Sequence, residues 1–133
     1  MKLNNIKISN YRCFREADID FDEHTTLIVG KNGAGKTAIL DAVAVAVSTF
    51  LLGIDGGVSR NISRDDARYE FHDLDGTVDP QHQFPVNIES TGDCLDNHDV
   101  KWVRSLNSES GNTTVKEARE LTNISKDTQK RIM

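Results

Sequence analysis

The sequence predicts an α/β fold built around a phosphate-binding loop (P-loop), with an antiparallel β subsheet beside it. Three observations carry this. The pattern G-x-x-x-x-G-K-[ST] is met by Gly30, Gly35, Lys36 and Thr37. A short apolar run, TLIV at 26–29, precedes it, and a long one, AILDAVAVAVSTFLL at 38–52, follows it. Before and after this strand–loop–helix unit, short segments alternate apolar and polar residues with the period of two that marks a half-buried strand.

The loop has a physical logic. Glycine at 30, 33 and 35 removes the Cβ, so the chain turns sharply and brings backbone N–H groups close to an anion. The helix that follows aims its N-terminal N–H groups and its positive dipole end at the same point. The candidate nucleotide-binding residues here are Gly30, Lys31, Asn32, Gly33, Ala34, Gly35, Lys36, Thr37 and Ala38. Lys36 reaches toward the β- and γ-phosphates, which makes it the candidate catalytic side chain. The Thr37 hydroxyl is the candidate Mg²⁺ ligand, so the expected ligands are a nucleoside triphosphate and Mg²⁺. The stretch at 38–52 is apolar on nearly every face and ends at Gly53, a natural helix stop. At about 15 residues, with Asp41 inside it, it reads as too short to span a membrane. A helix without a polar face is instead buried on several sides.

With 133 residues, the chain fits one domain. The net charge of −5 argues against a broad nucleic-acid-binding face on this segment. Cys13 and Cys94 show neither metal spacing nor a disulfide framework, and MKLNNIKISN carries no secretory signal. A reducing cytoplasm is therefore expected, with no membrane partner.

The remaining elements follow in order. Ile6 and Ile8 mark a first strand, and Ala17, Ile19 and Phe21 a second; the short RCFRE connection joins them as an antiparallel hairpin. TLIV is the third strand. Residues 53–83 are rich in glycine, serine and charge and read as an irregular insertion, with RDDARYEF a short helix or strand within it. Val86 and Ile88, then Val100, Trp102 and Arg104, mark a second hairpin around the polar loop TGDCLDNHD. A final helix runs from 114 to the end, with Val115, Ala118, Leu121, Ile124, Thr128 and Ile132 near one stripe and Thr113 or Thr114 as N-cap.

Hydrolysis needs more than the loop. No strand of four apolar residues ending in Asp or Glu is placed to complete an Mg²⁺ site. FLLGID follows the helix too soon, DLDG lacks an apolar strand and an N-K-x-D partner, and LNSESGN is not a serine–glycine signature. The segment holds half of an active site.

The first 45 or so residues resemble the start of SMC/RecF/RecN-like ATPase heads, the ABC-type P-loop group that also includes OLD-like and phage-defence ATPases. The shared features are the first strand, the element Asn10-Tyr11-Arg12-Cys13-Phe14, the acidic strand ending at Phe21, LIVGKNGAGKT and ILDAV. The resemblance implies the N-terminal ATP-binding lobe of such a head, spanning 1–133. It also implies that Arg12 and Cys13 touch the base and α-phosphate; a solvated turn charge is the alternative for Arg12. For the full-length protein it implies ATP hydrolysis coupled to dimerisation of two heads and to work on DNA or an attached effector, of a repair or defence type. This segment alone is expected to be inactive. A small-molecule kinase or GTPase is one alternative, and a non-hydrolysing nucleotide-sensing assembly module is another.

Overall fold

A computed structural model describes residues 1–21, 33–74 and 76–132. The expected strand at 26–29, and Gly30, Lys31 and Asn32 of the loop, lie outside the described residues. The elements are β1 (Lys2–Tyr11), β2 (Phe14–Asp20), α1 (Gly33–Ser48), β3 (Tyr69–Leu74), β4 (Thr77–His82), β5 (Val86–Cys94), β6 (Asn97–Leu106) and α2 (Arg119–Ile132). Short 3-10 turns occupy Thr49–Gly53, Arg64–Asp66 and Lys116–Ala118.

Four strands form an antiparallel sheet in the order β2-β1-β5-β6. Alternation decides its faces. Ile6 and Ile8 of β1, Val86 and Ile88 of β5, and Leu106 of β6 turn inward and are buried, whereas Lys7 between the first pair and Glu89 just after the second are exposed. Onto the inner face packs α1, through Ala38, Ala42, Val45 and Ala46, all fully buried. Small side chains on that stripe let the helix lie close to the sheet. A second cluster joins Trp102, Val100 and Cys94 to Ala118 and Leu121 at the start of α2, with Leu3, Phe50 and Ile124 around it. The Trp102 indole N–H donates to the Ala46 carbonyl at 2.9 Å, tying β6 to the backbone of α1.

With its 3-10 extension, α1 forms a 19-residue apolar stretch, Gly35–Gly53, long and apolar enough to cross a membrane by length and composition alone. One stripe of it, Ala38, Ala42, Val45 and Ala46, is buried against the sheet. Burial is one-sided, however: Leu40, Val47 and Leu51 stay exposed, spaced to share a stripe. The helix is thus not enclosed on several sides within these residues.

Three sequence expectations need correction. Residues 69–82 are not irregular but form the hairpin β3–β4, paired from Tyr69↔His82 to Leu74↔Thr77. Its tight turn includes Gly76 at φ +80, a left-handed conformation natural for glycine. The polar loop expected between β5 and β6 is mostly strand: pairing runs on to Cys94↔Asn97 and leaves only Leu95 and Asp96 to turn. Nor do Thr113 and Thr114 cap the last helix. The Thr113 hydroxyl accepts from Ile62 N–H and donates to Ile62 carbonyl, and the Thr114 hydroxyl accepts from Ser105 N–H. Both pin the 107–115 connection onto its neighbours, and α2 begins later, at Arg119.

Candidate nucleotide site

The described part of the loop forms the opening turn of α1. Gly33, Ala34, Gly35, Lys36, Thr37 and Ala38 are its first six residues. No acidic residue stands in its first turn, so the positive end of a 16-residue helix is uncompensated from within. Lys36 is half-buried and Thr37 exposed. Ala38 is fully buried in the core, so its side chain serves packing and only its backbone is available to a ligand.

The β1–β2 hairpin delivers Arg12 and Cys13 to the same end of α1. Tyr11 pairs with Phe14, which leaves Arg12 and Cys13 as the two turn residues. A Cβ built on Gly35 would meet the Phe14 ring at 3.8 Å, an ordinary contact that sets the start of β2 against the start of the helix. Asn10 and Arg12 both have left-handed backbones, at φ 53 and 52. That conformation is uncommon for arginine and is held from outside: Arg12 N–H donates to Asp66 carbonyl at 2.6 Å, and Arg68 N–H to Asn10 carbonyl at 2.9 Å. A Tyr11↔Ala67 bridge completes the tie. Residues 66–68 therefore continue the sheet past the end of β1 and launch β3.

Charge gathers at this corner. Arg12 Nη1 donates to Asp41 Oδ2 at 2.5 Å and Arg12 Nε to Asp66 Oδ1 at 3.0 Å. Arg60 Nη1 donates to Asp41 Oδ1 at 2.8 Å. Asp41 is thus gripped by two guanidinium groups. Burial pushes its carboxyl up, but hydrogen bonds from Arg12 and Arg60 outweigh that and hold it below the usual carboxylate range. For Arg12, burial works against the charge, and the hydrogen bonds it donates to Asp41 and Asp66 outweigh this and raise the pKa. Next to them the Tyr11 hydroxyl is buried and, among the described residues, has no hydrogen-bond partner. Burial, then the charge of Asp66, pushes its pKa up to about 12, so it stays protonated.

Beside this network opens a cavity of about 470 Å³ lined by Arg12, Cys13, Asp65, Ala67, Arg68 and Tyr69. It offers a guanidinium pair and an aromatic ring. A second, apolar groove of about 550 Å³ lies at the other end of α1, between Met1, Val47, Phe50, Leu51 and Leu95. It is the larger of the two and mainly apolar, with Ser48 and Met1 its polar lining. Among the described residues, no three of His, Cys, Asp and Glu cluster as a metal site. Sequence reasoning placed Arg12, Cys13 and the loop but missed Asp41 as a partner, together with Arg60, Asp66, Arg68 and Tyr69. Asp41 carried a signal: a lone charge within an apolar helix demands a counter-charge.

A mixed α/β unit in which a P-loop sequence opens the core helix and an antiparallel sheet supports it defines the chain as a P-loop ATPase-type domain. The family model described as "AAA domain" matches residues 5–132, and the chain belongs to that family. Among its relatives, the DNA replication and repair protein RecF of Actinobacillus pleuropneumoniae is 33% identical over 100 residues, covering 71% of this chain and 26% of the relative. RecF of Flavobacterium johnsoniae is 51% identical over 43 residues, 32% of this chain and 12% of the relative. The DNA double-strand break repair Rad50 ATPase of Archaeoglobus fulgidus is 46% identical over 44 residues, 33% of this chain and 5% of the relative. The chain thus spans about a quarter or less of the length of these relatives, and the resemblance to SMC/RecF-like heads holds.

Proposed function

We propose that this chain binds ATP–Mg²⁺, with the phosphates on residues 30–38 and the base in the cavity beside Arg12, Cys13, Arg68 and Tyr69. One observation supports this above the others: the fold brings the Arg12–Cys13 turn and the uncompensated start of α1 to one corner, linked by the Arg12–Asp41 pair. Asp41 lies one helical turn beyond Thr37. Arg12 keeps its Nη2 donors out of the two ion pairs, and these are the donors that suit an α-phosphate. Lys36 supplies charge to the β- and γ-phosphates. Thr37, exposed in the first turn, suits the Mg²⁺ that neutralises them.

In the full-length protein this lobe serves ATP hydrolysis coupled to work on DNA, as the names of the RecF and Rad50 relatives favour, with pairing of two heads following from the family resemblance alone. On its own it recognises phosphates in ground and transition states alike, and uniform binding of that kind does not accelerate chemistry. The test is equilibrium binding of ATP–Mg²⁺ with steady-state phosphate release on the same samples. Lys36→Ala weakens binding by roughly 10- to 150-fold, the range of a charge-assisted phosphate contact. Phosphate release by the parent chain stays near the level of that variant. Unchanged affinity in the variant contradicts the phosphate assignment, and robust turnover that the variant lacks contradicts the half-site reading.

A further inference from the structure

Arg104 of β6 is 1% exposed, and among the described residues no carboxylate pairs with it. Burial alone lowers its pKa. A buried guanidinium without a counter-ion is costly unless its donors are well satisfied, and here four neutral acceptors receive them. Nε donates to the Thr114 carbonyl at 2.6 Å. Nη1 donates to the Thr49 hydroxyl at 3.2 Å and the Ser59 hydroxyl at 2.8 Å, and Nη2 to the Asn61 side-chain oxygen at 2.9 Å.

Two of those acceptors stand on either side of Arg60. The guanidinium therefore grips the residues before and after it. The Arg60 N–H is fixed as well, donating to the Ser48 hydroxyl at 2.9 Å, while Thr113 clamps both backbone groups of Ile62. Between these anchors the Arg60 side chain, 47% exposed, leaves the surface only to reach Asp41 at 2.8 Å. Asp41 is the carboxylate that holds Arg12.

We propose that Arg104 is a positioning residue for nucleotide binding, acting through the 59–61 segment to hold Arg60 on Asp41. The inference rests on the nucleotide reading above. Its electrostatic sense follows from counting charges: Arg12 and Arg60 against Asp41 and Asp66 sum to zero. Without Arg60 on Asp41 the corner carries one net negative charge beside the place where a triphosphate must sit. Losing the grip of Arg104 frees Arg60 to swing to solvent and produces part of the same deficit.

The experiment is a double-mutant cycle on the whole chain, reading ATP–Mg²⁺ affinity by calorimetry with folding checked by circular dichroism. Arg60→Ala weakens ATP about fivefold, and Arg104→Lys, which keeps the charge but cannot bridge Ser59 and Asn61, about threefold. In the Arg60→Ala background Arg104→Lys adds nothing further. A purely structural Arg104 would lower the melting temperature while costing the same affinity in both backgrounds, or none in either, and either result overturns the proposal. Should Arg104→Lys not fold, Asn61→Ala removes one side of the grip from an exposed position and enters the same cycle. If the parent chain and Lys36→Ala bind ATP equally poorly, the nucleotide reading fails and takes this inference with it. Binding by the parent, with additive losses in the cycle, removes the inference alone.

Discussion

Two arginines grip α1, Arg12 through Asp41 near its middle and Arg104 through Thr49 just past its C-terminal end, and the two grips differ in kind. On the N-terminal side Arg12 is paired with carboxylates, partly exposed, and set beside a polar cavity. Toward the C-terminal end Arg104 is buried, its donors spent on hydroxyls, an amide and a carbonyl. Partly exposed ion pairs contribute little net stability and can exchange partners, because water and ligands compensate both charges. A buried guanidinium with neutral acceptors has no such alternative, since every bond it loses leaves a desolvated group behind. On the proposed nucleotide reading, one end of the helix responds to an anion and the other stays fixed.

The largest effect expected from this contrast is at the fixed end. Trp102→Ala removes a fully buried indole and its bond to the Ala46 carbonyl, and should cost about 3–5 kcal/mol of stability. Chemical denaturation reads this directly, while the ATP affinity of the fraction still folded should not change. A loss of affinity without a loss of stability would reverse the roles assigned to the two ends.

Arg12→Ala should do the opposite. Its pairs are partly open to water, so stability falls by only about 1 kcal/mol, while nucleotide affinity drops by roughly tenfold through the lost phosphate donors. If its main part were to hold the hairpin, denaturation would show the larger change and calorimetry the smaller.

Asp41→Asn separates the ends by pH. The folded carboxyl lies below its ordinary 3.8, so its stabilisation is fully present above that value and is lost as pH falls through the lowered one. The stability gap between parent and variant should be constant at neutral pH and close in acid. A gap that persists to the lowest pH would mean that Asp41 acts by packing and not by charge. The smallest effect belongs to the exposed stripe: Leu40→Gln should shift stability by no more than about 0.5 kcal/mol, and thermal melting reads it.

The fixed end was largely legible in the sequence. Alternation at Ile6 and Ile8, at Val86 and Ile88, and at Val100 and Trp102 gave the strands of two hairpins, because one face of each strand must be apolar when it covers a helix; the β1–β5 pairing that joins them into one sheet was not legible. Nor was the hairpin β3–β4. Its Tyr69 and Phe71 are exposed, so their alternation did not mark a core-facing strand, and Pro80 within β4 argued against a strand. The signal was present at 75–76, where Asp-Gly is a strong hairpin dipeptide. At the other end the P-loop pattern gave the opening turn of α1, and the family resemblance pointed to Arg12. The partners of Arg12 were hidden because Asp41, Arg60 and Asp66 are far apart in the chain. Only the folded sheet, extended by residues 66–68, brings them together.

The division of α1 into a responsive and a fixed end is tested most directly by hydrogen–deuterium exchange with and without ATP–Mg²⁺. The account predicts added protection at residues 33–38, 10–14 and 64–70, and none at 92–102 or in α2. Protection that appears instead around the apolar groove at Leu51 and Leu95, or that is unchanged by Lys36→Ala, would contradict it.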